Sequence, residues 1–398
     1  MENARLGERP AVTLAAAALV YAFSIVLIDI APFYIGIYID YLELSLSRAG
    51  YIQTIDQAGG VLGAITGFFL MPRVTWRKVL IFAGLMATIA NVFTALVDTF
   101  TTLAFVRFLS GFSVVLITTI SACILARAAT PDRAFGAGLA MGMGFSAAAI
   151  WVLDWLRADF GYATSLGSGA IWLGAGVLLT FLLPASLGKA SDLSESQLED
   201  EETAATHRMG RAALIALGLF GISVNVVYGY VERVGLANNL DPSGVASALA
   251  FGYIFSALGS LVPGFLGAVG GRLKWIAFPT LLFFAALFAL YASKTVVLYT
   301  IAFGLYASVW NMGLAYYMSL TAENDPKHQY TRAMYIMTVA AQSIGPAIAA
   351  TVLTGAPLYF IFVISPAPAL IAAALVIGVS FYNVRTSSAN TRSFTASQ

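Results

Sequence analysis

The sequence contains few of the residues that water-soluble proteins need on their surface. Charged residues make up 10% of the chain, whereas soluble globular domains carry about 25%. The chain has two histidines and one cysteine, so an intramolecular disulfide is excluded. A soluble globular domain and a disulfide-stabilised fold are therefore both excluded, and we expect neither a metal site nor a cofactor.

The low charge also limits the possible partners. The formal net charge is +1, and the sequence has no basic cluster of the kind that binds phosphates, so nucleic acid is not an expected partner. The chain is instead rich in apolar residues, which make up 59% of it and give a mean hydropathy of +0.83. Because such a chain cannot cover itself with charge, the lipid bilayer is its expected solvent.

Charge-poor runs long enough to cross a bilayer recur along the whole chain. A helical crossing needs about 20 apolar residues. The uncharged stretch 333–384 is too long for one crossing, and the sequence Gly-Ala-Pro at 355–357 divides it. The sequence therefore predicts an all-α integral membrane protein with twelve spans, at 12–38, 49–72, 79–97, 101–126, 134–153, 162–184, 212–232, 244–268, 275–293, 296–320, 333–354 and 358–383.

The distribution of basic residues predicts the orientation of these spans. An even number of spans puts both termini on one side. Of the 21 Lys and Arg residues, Arg107 lies in a span and four lie on the side opposite the termini, namely Arg48, Arg157, Arg233 and Lys294. The other sixteen lie on the side of the termini, so the positive-inside rule predicts cytoplasmic termini. We expect the bacterial inner membrane as the location.

The chain is predicted to consist of two related halves. Residues 1–188 form an amino-terminal six-helix bundle, 189–210 an acidic cytoplasmic linker, and 211–398 a carboxy-terminal six-helix bundle. The segments 129–135 and 324–330 are similar in sequence and follow the fourth span of each half. Small residues, which let membrane helices approach closely, recur at four-residue spacing on spans two and eight: Gly59, Gly63, Gly67, Ser256, Ser260 and Gly264.

Two motifs carry a resemblance to a known family. LAFVRFLSG at 103–111 places Arg107 on span four, and GFFLMPRVTWRK at 67–78 joins spans two and three. With twelve spans and two halves, the chain resembles the major facilitator superfamily over essentially its whole length. The resemblance implies two pseudo-symmetric six-helix bundles, transport by alternating access, no enzymatic activity and function as a monomer. It also places spans one and four beside the central cavity.

Two features common in that family are absent from this sequence. The segment 67–78 lacks the family's usual Asp and its second glycine, so the gating role of that Asp does not transfer to this chain. Span five also lacks the glycine-proline motif of many drug/proton antiporters. This second absence favours uptake over efflux by antiport.

Three charged residues lie well inside the predicted spans: Asp29, Asp56 and Arg107. A lone charge at mid-bilayer costs about 2.5–3.5 kcal/mol on insertion scales, so these groups should face protein or a wet cavity. We predict that Asp29 and Arg107 form a proton-coupling pair, because resemblance to the family links such pairs to coupling, and that Asp56 is a weaker candidate. A purely structural pair and direct substrate binding are the alternatives.

Coupling by such a pair would arise from competing effects on Asp29. Burial disfavours a charged carboxylate, whereas a nearby guanidinium favours it. If the distance between Asp29 and Arg107 changes between the outward-open and inward-open states, proton affinity changes with it. Pro32 removes a backbone donor within the same span, which makes a loosened turn on the cavity wall.

Polar and aromatic residues on the proposed cavity helices are candidates for binding a small organic solute. Ring faces with a few polar groups suit a moderately apolar or aromatic compound, and Arg107 makes an organic anion possible. Any single polar residue is more often a contact between helices than a ligand. The candidates are Tyr21, Phe33, Asn225, Tyr228, Trp310, Asn311 and Gln342.

The sequence as a whole therefore predicts a proton-coupled symporter for a small organic solute. Proton-antiport efflux of lipophilic compounds is the alternative within the same class. An intramembrane enzyme is a remote alternative from another class. An intramembrane serine protease needs a histidine inside the membrane, and His207 and His328 both lie in polar connecting segments.

Overall fold

The computed structural model of the chain describes residues 10–70, 75–128, 131–184, 204–266, 271, 274–325 and 330–396. Residues 189–203 of the predicted linker lie outside the described residues, and so do residues 71–74 of the motif between spans two and three. The remainder of the predicted linker is helical, because a helix begins at Ala204. The boundaries of the two halves stay a prediction.

The described chain is helical and contains no β-strand. One short 3₁₀ turn, Thr331–Ala333, precedes the fourteenth α-helix. The α-helices are α1 Pro10–Asp29, α2 Ala31–Tyr41, α3 Leu46–Leu70, α4 Trp76–Thr94, α5 Phe100–Leu125, α6 Pro131–Phe160, α7 Tyr162–Gly167, α8 Gly169–Thr180, α9 Ala204–Tyr228, α10 Val231–Ala237, α11 Pro242–Leu266, α12 Lys274–Ala292, α13 Val296–Glu323, α14 Met334–Val352, α15 Phe360–Ile364 and α16 Pro366–Ala396.

Ten helical segments of the described chain are long and apolar enough to cross a membrane by length and composition. The predictions of an all-α fold and of a multi-pass membrane protein are confirmed. Two predicted spans, which correspond to α3 and α11, are not among these ten. The first half of α3 carries Arg48, Gln53, Asp56 and Gln57, which lower its mean hydropathy. In α11 the stretch Pro242–Ala257 is apolar, and several side chains beyond it lie outside the described residues. The count of twelve stays a prediction.

The first predicted span is interrupted near its middle. α1 ends at Asp29 and α2 begins at Ala31, because Pro32 has no backbone N–H to bond the Ile28 carbonyl. Proline is tolerated in the first turn of the new helix. The N–H of Phe33 donates to the Ile30 carbonyl at 3.0 Å instead of to Asp29. The break therefore leaves the Asp29 carbonyl available to another partner.

The seventh predicted span has a break at a similar position. α9 ends at Tyr228 and α10 begins at Val231. The N–H of Tyr230 donates to the Val227 carbonyl at 2.9 Å, which tightens the chain at this point. Each half of the molecule thus begins with a span made of a long inner helix and a shorter outer one.

Small residues allow α3 and α5 to touch backbone to backbone. A β-carbon at Gly59 would lie 2.1 Å from the Phe108 carbonyl oxygen, and one at Gly63 would lie 2.2 Å from the Phe112 carbonyl oxygen. The carboxy-terminal half repeats this close approach between α11 and α13, where a β-carbon at Gly259 would lie 2.4 Å from the Ser308 Cα. The predicted role of Gly59 and Gly63 in close packing is confirmed.

The two predicted halves meet through two helix pairs, each of which joins the second span of one half to the fifth span of the other. α3 packs against α14, and α11 packs against α6. Hydrogen bonds fix the first of these contacts: Ser47 to Thr354 at 3.0 Å, Tyr51 to Thr351 at 2.9 Å, and Ser343 to the Thr54 carbonyl at 3.0 Å. These bonds lie toward the end of the bundle that is opposite both termini.

The backbone contact at Gly63 predicts a large difference between two Gly→Ala substitutions. Gly63→Ala should lower stability by about 1–3 kcal/mol, because an added methyl forces α3 and α5 apart. Thermal unfolding of the purified protein in detergent measures this effect. Gly144→Ala is the matched control, since no described atom outside its chain neighbours and its own helix backbone lies within 4 Å of the added β-carbon. Equal unfolding temperatures for the two variants would contradict the packing described here.

Candidate functional site

Asp29 lies at the broken turn of the first span and is 7% exposed. Its carboxylate accepts one hydrogen bond, from the Ser146 hydroxyl of α6 to Oδ2 at 2.7 Å. Among the described residues, no basic side chain forms an ion pair with Asp29, and Oδ1 accepts no hydrogen bond. A buried carboxylate with one free oxygen can take up a proton or bind a donor group.

The backbone of Asp29 is held by the other half of the molecule. The hydroxyl of Tyr228 donates to the Asp29 carbonyl at 2.9 Å, and the hydroxyl of Tyr253 lies 2.5 Å from the same oxygen. The two hydroxyls are 2.6 Å apart, and both tyrosines are buried. Asp29 is therefore bonded through its side chain to the amino-terminal half and through its backbone to the carboxy-terminal half.

Trp310 extends this group of residues along α13. Its ring meets that of Tyr228 edge to face, with centroids 4.9 Å apart. The indole Nε1 is buried and has no hydrogen-bond partner among the described residues. Buried polar groups normally have partners, so this N–H is a donor available to a bound molecule.

The predicted contact between Asp29 and Arg107 is wrong in this structure. Arg107 pairs with Asp56, with its Nη2 3.1 Å from Oδ1, and both residues are almost fully buried. Close packing explains the choice, because a β-carbon at Gly111 would lie 1.8 Å from the Asp56 carbonyl oxygen. α3 and α5 are thus pressed together at the level where Asp56 and Arg107 face each other.

The surroundings of Arg107 hold it within the amino-terminal half. Its Nη1 donates to the Asn91 amide oxygen at 3.1 Å, and the guanidinium carbon lies 5.2 Å from the Tyr34 ring centroid. The Asn91 amide nitrogen in turn donates to the Ser110 hydroxyl at 3.0 Å. The positive charge is therefore compensated by Asp56 and is not offered to an anionic solute.

The other predicted solute-binding residues do not all gather at Asp29. Tyr21 is half-buried and meets Phe135 edge to face at 6.4 Å, whereas Phe33 is fully buried. The Asn225 amide donates to the Gly221 carbonyl at 2.8 Å within its own helix, and the Asn311 amide donates to the Ser256 hydroxyl of α11 at 2.6 Å. Gln342 is half-buried on α14.

Charged residues form an ion-pair network where the halves meet at the end opposite the termini. Arg233 of α10 donates to both carboxylate oxygens of Asp40 on α2, at 2.7 and 2.6 Å. Glu232, which is 2% exposed, lies 2.7 Å from the Arg233 Nε and 3.8 Å from Arg157 of α6. Arg157 also pairs with Asp154 at 2.6 Å. We call these five residues the outer lock.

A glycine permits the close approach of helices in the outer lock. A β-carbon at Gly36 would lie 2.6 Å from the Glu232 carboxylate and 2.8 Å from an Arg233 nitrogen. Arg157 also lies 5.2 Å above the ring of Phe33. Phe33, predicted to bind solute, therefore packs against Arg157 of the outer lock.

Several residues of the candidate site and of the outer lock were not predicted from the sequence. Ser146 and Tyr253 lie in apolar, glycine-rich helices, and their type and spacing resemble those of ordinary packing residues. Asn91 gave a usable signal, because an amide in an apolar span usually needs a partner on another helix. Asp40 and Arg157 belong to the amino-terminal half. They reach Glu232 and Arg233 of the carboxy-terminal half only because the two halves pack together.

Comparison with known proteins identifies relatives by sequence profile and by fold. The profile of the Major Facilitator Superfamily matches residues 13–350. No curated protein matches the sequence. The crystal structure of the nucleoside transporter NupG is similar at 15% identity and a TM-score of 0.71, covering 93% of this chain and 99% of that chain. A POT family transporter in complex with 5-aminolevulinic acid is similar at 13% identity and a TM-score of 0.74, covering 93% of this chain and 96% of that chain.

The buried Asp56–Arg107 pair predicts a stability defect that a second substitution repairs. Arg107→Met should destabilise the protein by about 3–5 kcal/mol, because it leaves a buried carboxylate without a partner. Asp56→Leu in the same chain should recover most of this loss, since the double variant has no buried charge at the site. Thermal unfolding in detergent tests the prediction. A double variant as unstable as Arg107→Met would contradict it.

The outer lock predicts which positions become accessible when it is weakened. Arg233→Gln should raise the labelling rate of a cysteine at Ser47 about two- to fivefold, the range expected for a partly exposed ion pair. The measurement uses a membrane-impermeant maleimide in a Cys123→Ser background. Thr99→Cys is the control, because Thr99 is already exposed and its labelling should not change. Unchanged labelling at Ser47 would show that the lock does not hold the halves together.

Proposed function

Because the chain belongs to the major facilitator superfamily, it is a multi-pass membrane transporter and not an enzyme, and we propose that it is a proton-coupled symporter. It moves a small organic solute by alternating access. The amino- and carboxy-terminal halves rock about the contact at Asp29, so that the site opens to one side of the membrane at a time.

The observation that supports proton coupling is the position of the Asp29 carboxylate. It is buried between the two halves, and no described cation compensates it. Ionisable groups at such positions in membrane proteins are commonly functional, because a lone charge there is costly. A proton removes that cost, so Asp29 is occupied by a proton when the site is closed and exchanges it when water enters.

The Asp56–Arg107 pair has a different role in this proposal. Its charges compensate each other inside the amino-terminal half, so it takes no proton during the cycle. It keeps α3 and α5 together while Asp29 moves between wet and dry surroundings. The two residues therefore support coupling only by fixing the helices around the proton-binding carboxyl group.

Symport follows from the hydrogen-bond donors at the site. The Trp310 N–H is buried and has no acceptor among the described residues, and a protonated Asp29 adds a second donor. A solute with hydrogen-bond acceptors then binds best after the proton has bound, which makes the two travel together. The ring of Tyr228 lies beside the Trp310 donor, while Tyr21, Asn225, Asn311 and Gln342 stay candidates for further solute contacts.

Proton antiport is the second candidate, and the free Oδ1 of Asp29 favours it. A cationic solute would bind the carboxylate directly and displace the proton. An anionic solute is disfavoured in both modes, because Arg107 already has Asp56 as its partner. The direction of proton movement when solute is added therefore distinguishes the two candidates.

The cellular setting is also proposed. The basic residues favour cytoplasmic termini in a bacterial inner membrane, with the outer lock on the external face and the protein acting as a monomer. The folds of NupG and of the POT family transporter are shared at low identity. Nucleosides and 5-aminolevulinic acid are therefore reasonable first solutes to test.

Asp29→Asn should separate transport from its driving force. In proteoliposomes, uridine and 5-aminolevulinic acid are offered with and without an inward proton gradient. The wild-type protein should accumulate a transported solute above the equilibrium level and carry protons inward with it. Asp29→Asn should still exchange solute across the membrane but should accumulate none above equilibrium, because its side chain cannot take up a proton.

Asp98→Asn serves as the control, since Asp98 is exposed at the start of α5 and should not affect accumulation. Normal gradient-driven accumulation by Asp29→Asn would overturn the role of Asp29. Outward proton movement on solute addition would favour antiport over symport. If neither solute is transported, thermal shift against sugars, organic acids and lipophilic cations extends the search, because a bound ligand stabilises the folded state.

A further inference from the structure

We propose that Tyr228 and Tyr253 are positioning residues that control the proton-binding carboxyl group of Asp29 through its backbone carbonyl. This inference rests on the proposed role of Asp29 in proton binding. It gives Tyr228 a function other than solute binding and assigns a function to Tyr253, which the sequence did not single out. We call the two hydroxyls and the carbonyl they bond the carbonyl latch.

The carbonyl in the latch is available only because the first span is broken. In a continuous helix, the Asp29 carbonyl would accept the N–H of Phe33. Here that N–H donates to Ile30 at 3.0 Å. Pro32 prevents the regular pattern from forming, because it has no N–H for the Ile28 carbonyl. A buried carbonyl without a partner is costly, so the break creates a strong demand for donors.

The carboxy-terminal half supplies those donors from two separate helices. Tyr228 ends α9 and Tyr253 lies within α11, and both hydroxyls converge on one oxygen at 2.9 and 2.5 Å. Both side chains are nearly fully buried. The carbonyl cannot move away from these helices without losing both bonds at once, so separation of the halves at this level breaks the latch in one step.

Proton binding and latch opening meet on the same residue. The carboxylate of Asp29 accepts a bond from Ser146 of the amino-terminal half, at 2.7 Å. Its titratable neighbours within electrostatic range are Tyr21 of its own helix and the two latch tyrosines. When the latch holds, Asp29 stays dry and the neutral acid is favoured; when it opens, water can stabilise the charged carboxylate.

Other buried tyrosines show what a purely structural bond of this kind looks like. The hydroxyl of Tyr306 donates to the Val224 carbonyl at 2.5 Å, between α13 and α9 of the same half. The hydroxyl of Tyr230 donates to the Leu46 carbonyl across the halves at 3.2 Å. Leu46 begins α3, whereas Asp29 ends α1. Tyr306→Phe therefore removes a similar bond close to the latch while both latch hydroxyls stay in place, which makes it a matched control.

Trp310 provides a readout that needs no solute. Because its ring contacts that of Tyr228, its fluorescence should change when the latch opens. The experiment uses full-length protein in detergent in which Trp310 is the only tryptophan, and records its emission from low to high pH. We expect one transition in the wild-type background and its loss in Asp29→Asn.

The latch variants should move this transition without abolishing it. Tyr253→Phe and Tyr228→Phe should each shift the midpoint toward lower pH by about half a pH unit, the equivalent of one net hydrogen bond. Pro32→Ala should shift it in the same direction, because a restored N–H lets the helix reclaim its carbonyls. Tyr306→Phe should leave the midpoint unchanged.

The outcomes separate this inference from the proposed function. If the transition persists in Asp29→Asn, the proton-binding role of Asp29 fails and the latch fails with it. If the transition is lost in Asp29→Asn but Tyr228→Phe, Tyr253→Phe and Tyr306→Phe leave the midpoint unchanged, Asp29 binds the proton and the latch alone is wrong. Equal shifts in Tyr306→Phe and in the latch variants would show a general loss of packing and would also overturn the latch.

Discussion

The arrangement of this transporter depends on one backbone carbonyl, that of Asp29, which has no donor within its own helix. Proline in the next turn disrupts the helical bonds that would normally satisfy the backbone here. In a lipid environment a carbonyl left without a donor is especially costly, so the partner must come from protein. The partner comes from the opposite half of the molecule, as the hydroxyls of Tyr228 and Tyr253. A local defect in one helix thereby becomes a contact between the two halves.

Around this contact, charge is distributed in two contrasting ways. Arg107 and Asp56 neutralise each other inside one half and have further partners in Asn91 and Tyr34. The Asp29 carboxylate accepts a single hydrogen bond, from the Ser146 hydroxyl. In the proposed cycle, a compensated pair keeps the same charge, whereas a lone carboxyl group responds to whether water or a proton reaches it. The Asp56–Arg107 pair therefore suits a rigid part of the protein, and Asp29 suits a part whose surroundings change.

Much of the fold could be predicted from the sequence, because it depends on local properties. The length of the apolar runs predicted the all-helical, multi-pass architecture, and the small residues Gly59 and Gly63 correctly marked a close helix contact. The partner of Arg107 could not be predicted in the same way. Asp29 and Asp56 both lie at suitable depths, and the choice between them is made by the closeness of α3 and α5 at Gly111. Such a choice depends on three-dimensional packing that no single span encodes.

The matching breaks in the first span of each half divide the molecule by depth. The short outer helices α2 and α10 touch each other and carry Asp40, Glu232 and Arg233 of the outer lock, while the long inner helices α1 and α9 end at Asp29 and Tyr228. The outer helices α2 and α10 can therefore tilt away from each other, with the turns at Ile30 and Gly229 as hinges. Opening toward the end opposite the termini can then begin at these two short helices, before the two halves rock as a whole.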